Sequence, residues 1–133
     1  MKKTILLGTA LALLATTPAL AQKPPAKSPN GVWRCSAAGP LPIGIMTITG
    51  TGYKFQAVSN TAWAPKASDR NNGGGQFKLA PGKLTPVSGP LVSGFKASIA
   101  LHEEYRSPRE SYDYIDIYND PKSAYLLRCY RPD

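Results

Sequence analysis

The sequence predicts a small antiparallel β-barrel of about eight strands, closed by a disulfide between its first and last strands. Short runs in which apolar and polar residues alternate recur along most of the chain, and turn-forming residues separate them. The only two cysteines, Cys35 and Cys129, lie near the two ends of this β-rich region. Pairing them places the first and last strands side by side, which closes the sheet and removes its edges.

Eight runs have the alternation or the flanking turns of β-strands. They cover residues 32–37, 43–49, 53–58, 76–79, 83–87, 91–102, 112–118 and 124–130. A turn at Gly50–Gly52 joins the second and third runs as a hairpin, and Pro81-Gly82 joins the next two. The Gly73–Gly75 triplet precedes no Gly-Lys-Ser/Thr and no helix, so it is interpreted as a flexible connection rather than a phosphate loop.

The parity of the terminal strands supports their pairing. Six side chains would share the inward face: Trp33, Cys35, Ala37, Tyr125, Leu127 and Cys129. A β-sandwich with the same terminal pairing is the alternative architecture.

The first 21 residues have the composition of a cleavable signal peptide. Lys2 and Lys3 precede an apolar run over residues 5–15, and Ala19-Leu20-Ala21 follows as a small-x-small cleavage sequence. A membrane-spanning helix needs roughly 20 apolar residues, and this run is about half that length. We therefore expect a periplasmic or secreted protein with no membrane span in the mature chain.

The mature chain divides into two parts. Residues 22–30 form a Pro-rich, flexible tail, and residues 31–133 form a single β domain of ordinary size. In an oxidising compartment the pair Cys35 and Cys129 is expected to be a disulfide, the alternative being two free buried thiols.

The net charge of +8 overstates how basic the domain is. Four lysines belong to the signal peptide and the tail, and from Gly31 onward 12 Lys and Arg stand against 8 Asp and Glu. Basic residues prevail up to His102, whereas Glu103–Asp120 holds six of the acids. An unevenly charged, solvated surface explains this pattern, and a one-sided basic surface for an anionic polymer is the alternative. Nucleic acid is not the expected partner.

Few residues offer catalytic or metal-binding chemistry. His102 is the single histidine and is expected at the surface, at the start of a loop. Asp113 and Asp116 fall on opposite faces of one strand, which does not suit a calcium site. The sequence therefore predicts no catalytic residue, no metal and no cofactor.

Binding residues are expected in the long loop at residues 59–75, because a rigid β scaffold usually carries function on its loops. Trp63, Lys66 and Arg70 give this loop the aromatic and cationic composition of a binding hot spot. The alternative is that Trp63 folds back and plugs one mouth of the barrel. A second loop at residues 103–111 would lie at the opposite end of an up-and-down barrel.

Four short segments stand out in the chain: Gly31-x-Trp33-x-Cys35, Gly52-Tyr53, Ser88-Gly89-Pro90-Leu91 and Arg128-Cys129-Tyr130-Arg131. With these segments the chain resembles small secreted bacterial β proteins that begin with Gly-x-Trp-x-Cys and end in a cysteine-containing strand. The chain is also similar to periplasmic lysozyme inhibitors of the small-barrel type. The resemblance implies structure and brings no catalytic residues with it, and a basic inhibitor would match cationic lysozyme poorly.

Three functions follow as hypotheses. The first is an exported, non-catalytic barrel that binds an anionic envelope polymer or an exported protein through its loops. The second is a periplasmic inhibitor of a secreted enzyme, such as lysozyme or a protease. The third is a small hydrolase, which would require two carboxylates to converge in one pocket.

Overall fold

A computed structural model describes residues 28–39, 41–59, 62–106 and 111–131. This part of the chain forms eight β-strands and one short helix. The elements are β1 (Gly31–Ala37), β2 (Leu41–Thr49), β3 (Gly52–Ala57), β4 (Gly73–Ala80), β5 (Lys83–Pro86), α1 (Pro90–Ser93), β6 (Ile99–Arg106), β7 (Ser111–Tyr118) and β8 (Leu127–Tyr130). The predicted signal peptide at residues 1–21 and the tail up to residue 27 lie outside the described residues.

The eight strands form one closed barrel in which each strand is antiparallel to the next. β1 pairs with β8, and Cys35 lies directly opposite Cys129, to which it is joined by a disulfide. The predicted barrel and its first-to-last closure are confirmed, and the sandwich alternative is wrong. The disulfide also fits a compartment outside the reducing cytoplasm.

Because successive strands run in opposite directions, the connections between them lie alternately at the two ends of the barrel. We call the end where β1, β3, β5 and β7 finish the loop end, and the other the turn end. The loop end carries the β3–β4 connection and the β5–β6 connection that contains α1. The two predicted loops, after β3 and after β6, therefore leave from opposite ends, as expected. The second is shorter than predicted, because β6 runs to Arg106 and β7 begins at Ser111.

The barrel interior is filled by the inward-facing side chains of alternating strand positions. Met46 and Ile48 of β2 and Ile115 and Ile117 of β7 are almost fully buried, and Trp33 is not exposed at all. Fully burying an aliphatic side chain of this size contributes about 1.5–3 kcal/mol, so the filled interior is a principal source of stability.

The predicted strand at residues 91–102 is wrong in its first half. Pro90 begins α1, where its missing N–H costs nothing, and Gly94 follows the last helical residue. The buried side chain of Leu91 fills the loop end of the barrel. Only the segment from Ile99 onward joins the sheet as β6, with the small Ala100 facing the interior.

Two other predictions need correction. Gly73–Gly75 is not a flexible connection but the first part of β4, and it pairs with residues 53–55 of β3. Tyr125 does not face the interior, because β8 begins only at Leu127 and the Tyr125 ring stacks on Arg128 outside the barrel.

Candidate functional site

The β3–β4 loop at the loop end is held to the barrel by its own backbone and one asparagine. Val58 forms an isolated bridge with Pro65, and the Lys66 N–H donates to the Ala57 carbonyl at 2.9 Å. The Asn72 side chain accepts from the Ala57 N–H and donates to the Lys66 carbonyl, both at 2.8 Å. These bonds tie the loop that carries the three predicted binding residues to the end of β3.

Trp63 lies against the outside of the barrel rather than in its mouth. Its ring is half-buried, and the Cζ of Arg34, an exposed residue of β1, lies 5.4 Å from the ring centroid. The backbone of Trp63 has a φ of 53°, in the left-handed region that few residues other than glycine adopt. The side chain of Leu91 in α1 fills the loop end of the barrel, so Trp63 does not plug this mouth.

The structure separates Lys66 from Arg70. The Nζ of Lys66 lies 3.9 Å from a carboxylate oxygen of Asp69, and both residues line a cavity of about 200 Å³ beside Phe95. Arg70 instead lines a neighbouring cavity of about 300 Å³. The three predicted binding residues therefore share a loop but not a cavity.

Arg70 meets a cation that the sequence did not reveal. Lys96, from the connection after α1, lines the same cavity together with Ser93 and Gly94. Both cations are exposed, and within the described part of the chain neither has a carboxylate within ion-pairing distance. We call this the cationic cavity. Its two positive charges suit an anionic group such as a phosphate.

Two details show that the cationic cavity is closely constrained. Lys96 has a φ of 58°, uncommon for a residue with a long side chain. Gly94 packs so closely on Asn71 that a Cβ at position 94 would clash with the Asn71 side chain. The Asn71 Oδ1 is buried and has no hydrogen-bond partner among the described atoms. A single strand over residues 91–102, as the sequence predicts, would place Lys96 in the barrel wall. The sequence therefore gives no sign that Lys96 lies near Arg70.

His102 is not at the surface, contrary to the prediction. Its side chain is only 6% exposed, and its Nε2 lies 2.9 Å from the Oδ2 of Asp113 on the inner face of the turn end. Burial alone would raise the pKa of Asp113, but hydrogen bonds from His102 and Arg131, together with the positive charge of Arg131, lower it below its usual value. The Asp113 carboxylate and the His102 ring thus provide each other with a buried hydrogen-bond partner.

Asp116 faces the outside of β7, whereas Asp113 faces the inside. The alternation along the strand predicted that these two acids lie on opposite faces. The Nε and Nη2 of Arg128 donate to its two carboxylate oxygens at 2.6 and 2.7 Å. The Arg128 guanidinium lies between two tyrosine rings, 4.8 Å from Tyr114 and 4.4 Å from Tyr125. Asp116 is therefore occupied in a buried ion pair and does not converge with Asp113.

The described residues supply little other chemistry. They contain no group of three or more His, Cys, Asp and Glu side chains that could hold a metal ion. Among the helices of the described chain, none is long and apolar enough to cross a membrane. Comparison with protein-family models, curated proteins and solved structures found no match to this chain.

Proposed function

We propose that this protein is an exported, non-catalytic binding protein that recognises an anionic group of a cell-envelope component at its loop end. The observation that carries the proposal is the cationic cavity, where Arg70 and Lys96 face one space without a carboxylate partner among the described residues. In a cavity, charge-assisted hydrogen bonds to a phosphate or carboxylate are stronger than bonds between neutral groups.

Export is supported by two features. Residues 1–21 have the charged start, apolar centre and small-x-small end of a signal peptide. The Cys35–Cys129 disulfide is typical of proteins in oxidising compartments. A periplasmic or secreted location brings the cationic cavity near the phosphate-rich molecules of the envelope.

The backbone of the loop end favours binding over a purely structural role. Trp63 and Lys96 both have positive φ, which costs of the order of 1–3 kcal/mol for each such residue. Conformations of this kind persist where the surroundings fix them, and they concentrate at ligand sites. Of these two residues, Lys96 lines the cationic cavity, where its ammonium group can pair with an anion.

The positions and hydrogen bonds of Asp113 and Asp116 argue against a hydrolase. Asp113 is hydrogen-bonded to His102 and Arg131, and Asp116 to Arg128. The two aspartates face opposite sides of one strand, so they cannot act together as acid and base on one substrate.

The test measures binding of the mature protein to lipopolysaccharide and to phosphatidylcholine vesicles with and without phosphatidylglycerol, over a salt series. Arg70→Ala and Lys96→Ala should each weaken binding severalfold, and Lys66→Ala less, because Asp69 partly offsets that charge. Lys78→Ala, which removes an exposed lysine of β4, is the matched control. The two phosphate sources tell a saccharide-linked phosphate from a phospholipid headgroup.

Two results would overturn the proposal. One is the absence of binding to either phosphate source at low salt. The other is a loss in Lys78→Ala equal to that in Arg70→Ala, which would mean that net charge alone attracts the anion.

A second candidate function, inhibition of a secreted enzyme, is favoured by the aromatic face of β7 and β8. Tyr112 is 42% and Tyr130 41% exposed, and Tyr114 and Arg128 lie beside them. Tyrosine and arginine are enriched in the energetic centres of protein interfaces. Recovery of a stable one-to-one complex with an exported enzyme, lost in Tyr130→Ala, would favour this function over the first.

A further inference from the structure

A groove crosses the outer wall of the barrel over β2, β3 and β4, away from the cationic cavity. It consists of two neighbouring cavities of about 650 and 310 Å³, within the usual size range of small-molecule sites. Both cavities are lined by Thr47, Lys54 and Gly74. These three residues are register partners in one row across the strands. We call this feature the outer groove.

Of the three glycines that begin β4, Gly73 and Gly75 are required by the backbone and its packing, whereas Gly74 keeps the groove open. Gly73 has a φ of 153°, which only glycine adopts readily, and a Cβ at Gly75 would clash with the Ser88 carbonyl and the Tyr53 ring. A Cβ at Gly74 would instead meet the Tyr53 carbonyl at 3.2 Å and the Lys54 Cγ at 4.0 Å. Packing therefore tolerates a side chain at position 74 better than at 75. Glycine in a strand often marks a place where a ligand approaches the backbone closely.

The groove is polar and carries one positive charge. Hydroxyl groups of Thr47, Thr49 and Ser88 and the amide of Gln76 line the larger cavity. Lys54 lies between the two cavities, and no carboxylate of the described chain pairs with it. Hydroxyl and amide groups match the hydroxyls of a sugar, and the ammonium group matches an acidic substituent.

Closure of the barrel argues against an extended peptide as the ligand. Peptides that add to β-sheets obtain much of their affinity from a free strand edge. Each of the eight described strands has a neighbour on both sides, so the groove offers side chains and glycine backbone but no edge.

We infer that the outer groove binds a linear oligosaccharide bearing carboxylate groups. Lys54 pairs with a carboxylate, the threonine hydroxyls bind sugar hydroxyls, and Gly74 lets a sugar ring lie against the β4 backbone. This activity goes beyond the proposed anion recognition at the loop end and uses none of its residues.

The experiment titrates the mature protein with hexagalacturonate and, as the neutral comparison, maltohexaose, by calorimetry and backbone amide NMR. Saturable binding of hexagalacturonate should shift the amides of Thr47, Lys54 and Gly74. Gly74→Val, which fills the groove with a side chain suited to a strand, should weaken binding at least tenfold. Lys54→Gln should remove the preference for hexagalacturonate over maltohexaose.

Two controls keep failure of the inference distinct from failure of the proposed function. Lys78→Gln removes a β4 charge outside the groove and should bind hexagalacturonate like the wild type. Arg70→Gln alters the cationic cavity and should leave the hexagalacturonate-induced shifts of the Thr47, Lys54 and Gly74 amides unchanged. Thr47→Val, a nearly isosteric change in a strand, should also weaken binding, and it tests the groove even if Gly74→Val fails to fold. Unshifted groove amides at millimolar hexagalacturonate, or equal losses in Lys78→Gln and Lys54→Gln, would overturn the inference.

Discussion

The guanidinium of Arg131 lies 4.2 Å from the centroid of the Trp33 ring, and its Nε donates to both carboxylate oxygens of Asp113 at 3.1 and 2.9 Å. Its other two nitrogens donate to the backbone carbonyls of Asn30 and Ser28. The Trp33 indole donates to the Pro29 carbonyl at 2.9 Å. Arg131 therefore fastens the segment before β1 across the turn end of the barrel.

Replacing Arg131 by alanine should lower the free energy of unfolding by about 3 kcal/mol, because it leaves the buried Asp113 carboxylate with one partner instead of two. Urea denaturation measures the change. Lys78→Ala, an exposed change on β4, should stay within about 0.5 kcal/mol of the wild type. An Arg131→Ala value as small as that of the control would contradict a stabilising role for the Arg131 network.

Stability should fall in acid, and Asp113 should account for part of the loss. Its pKa in the folded protein lies below the ordinary value of 3.8, so the unfolded state binds the proton more readily. The stabilisation is complete above about pH 5 and is lost progressively as the pH falls through the ordinary value and then through the lower, folded-state pKa. Unfolding free energies measured from neutral pH into acid check this.

The matched variant for the acid experiment is Asp113→Asn, which keeps the shape of the side chain and removes its titration. Its stability should decline less steeply below pH 4 than that of the wild type. Parallel curves for the two proteins would show that Asp113 does not cause the decline.

Tyr114 should ionise late in an alkaline titration. Its hydroxyl donates to the Oε2 of Glu103 at 2.8 Å, and this bond is the main reason that its pKa is raised to about 12. The difference in phenolate absorbance between the wild type and Tyr114→Phe isolates the group. In Glu103→Gln the pKa should move back towards 10, and an unchanged value would exclude Glu103 as the cause.

Removing the disulfide should lower the free energy of unfolding by several kilocalories per mole. Cys35 and Cys129 are 94 residues apart, and cross-linking a loop of that length stabilises by roughly 4–5 kcal/mol in the chain-entropy model. The Cys35→Ala/Cys129→Ala double variant, compared with the wild type by urea denaturation, measures the loss. Both sulfurs are fully buried, so a reductant should generate thiols only as the wild type unfolds. Rapid thiol release from the folded protein would contradict this.

The sequence was most informative where alternation and burial coincide. In β1, Trp33 and Cys35 alternate with exposed residues, and the pairing of Cys35 with Cys129 was sufficient to order the first and last strands. Period-two patterns report which face of a strand is buried, and a closed barrel gives every strand one such face. The fold class was therefore predictable from local pattern and two cysteines.

Elements that depend on distant contacts were not predictable in this way. The helix Pro90–Ser93 is a single turn, too short for a 3.6-residue period to emerge, and Leu91 is buried because it fills the barrel end. His102 is buried because Asp113 of the neighbouring strand satisfies it. Lys96 and Arg70 come from different connections and line one cavity beside the close packing of Gly94 on Asn71. None of these partners is near in sequence.

The fastening of Ser28–Asn30 by Arg131 places both ends of the described chain together at the turn end. With its ends adjacent, the barrel has a cyclic strand order, so a short linker from residue 131 to residue 28 could join them and new ends could open at Pro81-Gly82. The same geometry puts residues 28 and 131 about one strand length, roughly 20 Å, from the cationic cavity. A surface attachment made at residue 28 or 131 thus leaves Arg70 and Lys96 at the far end of the barrel.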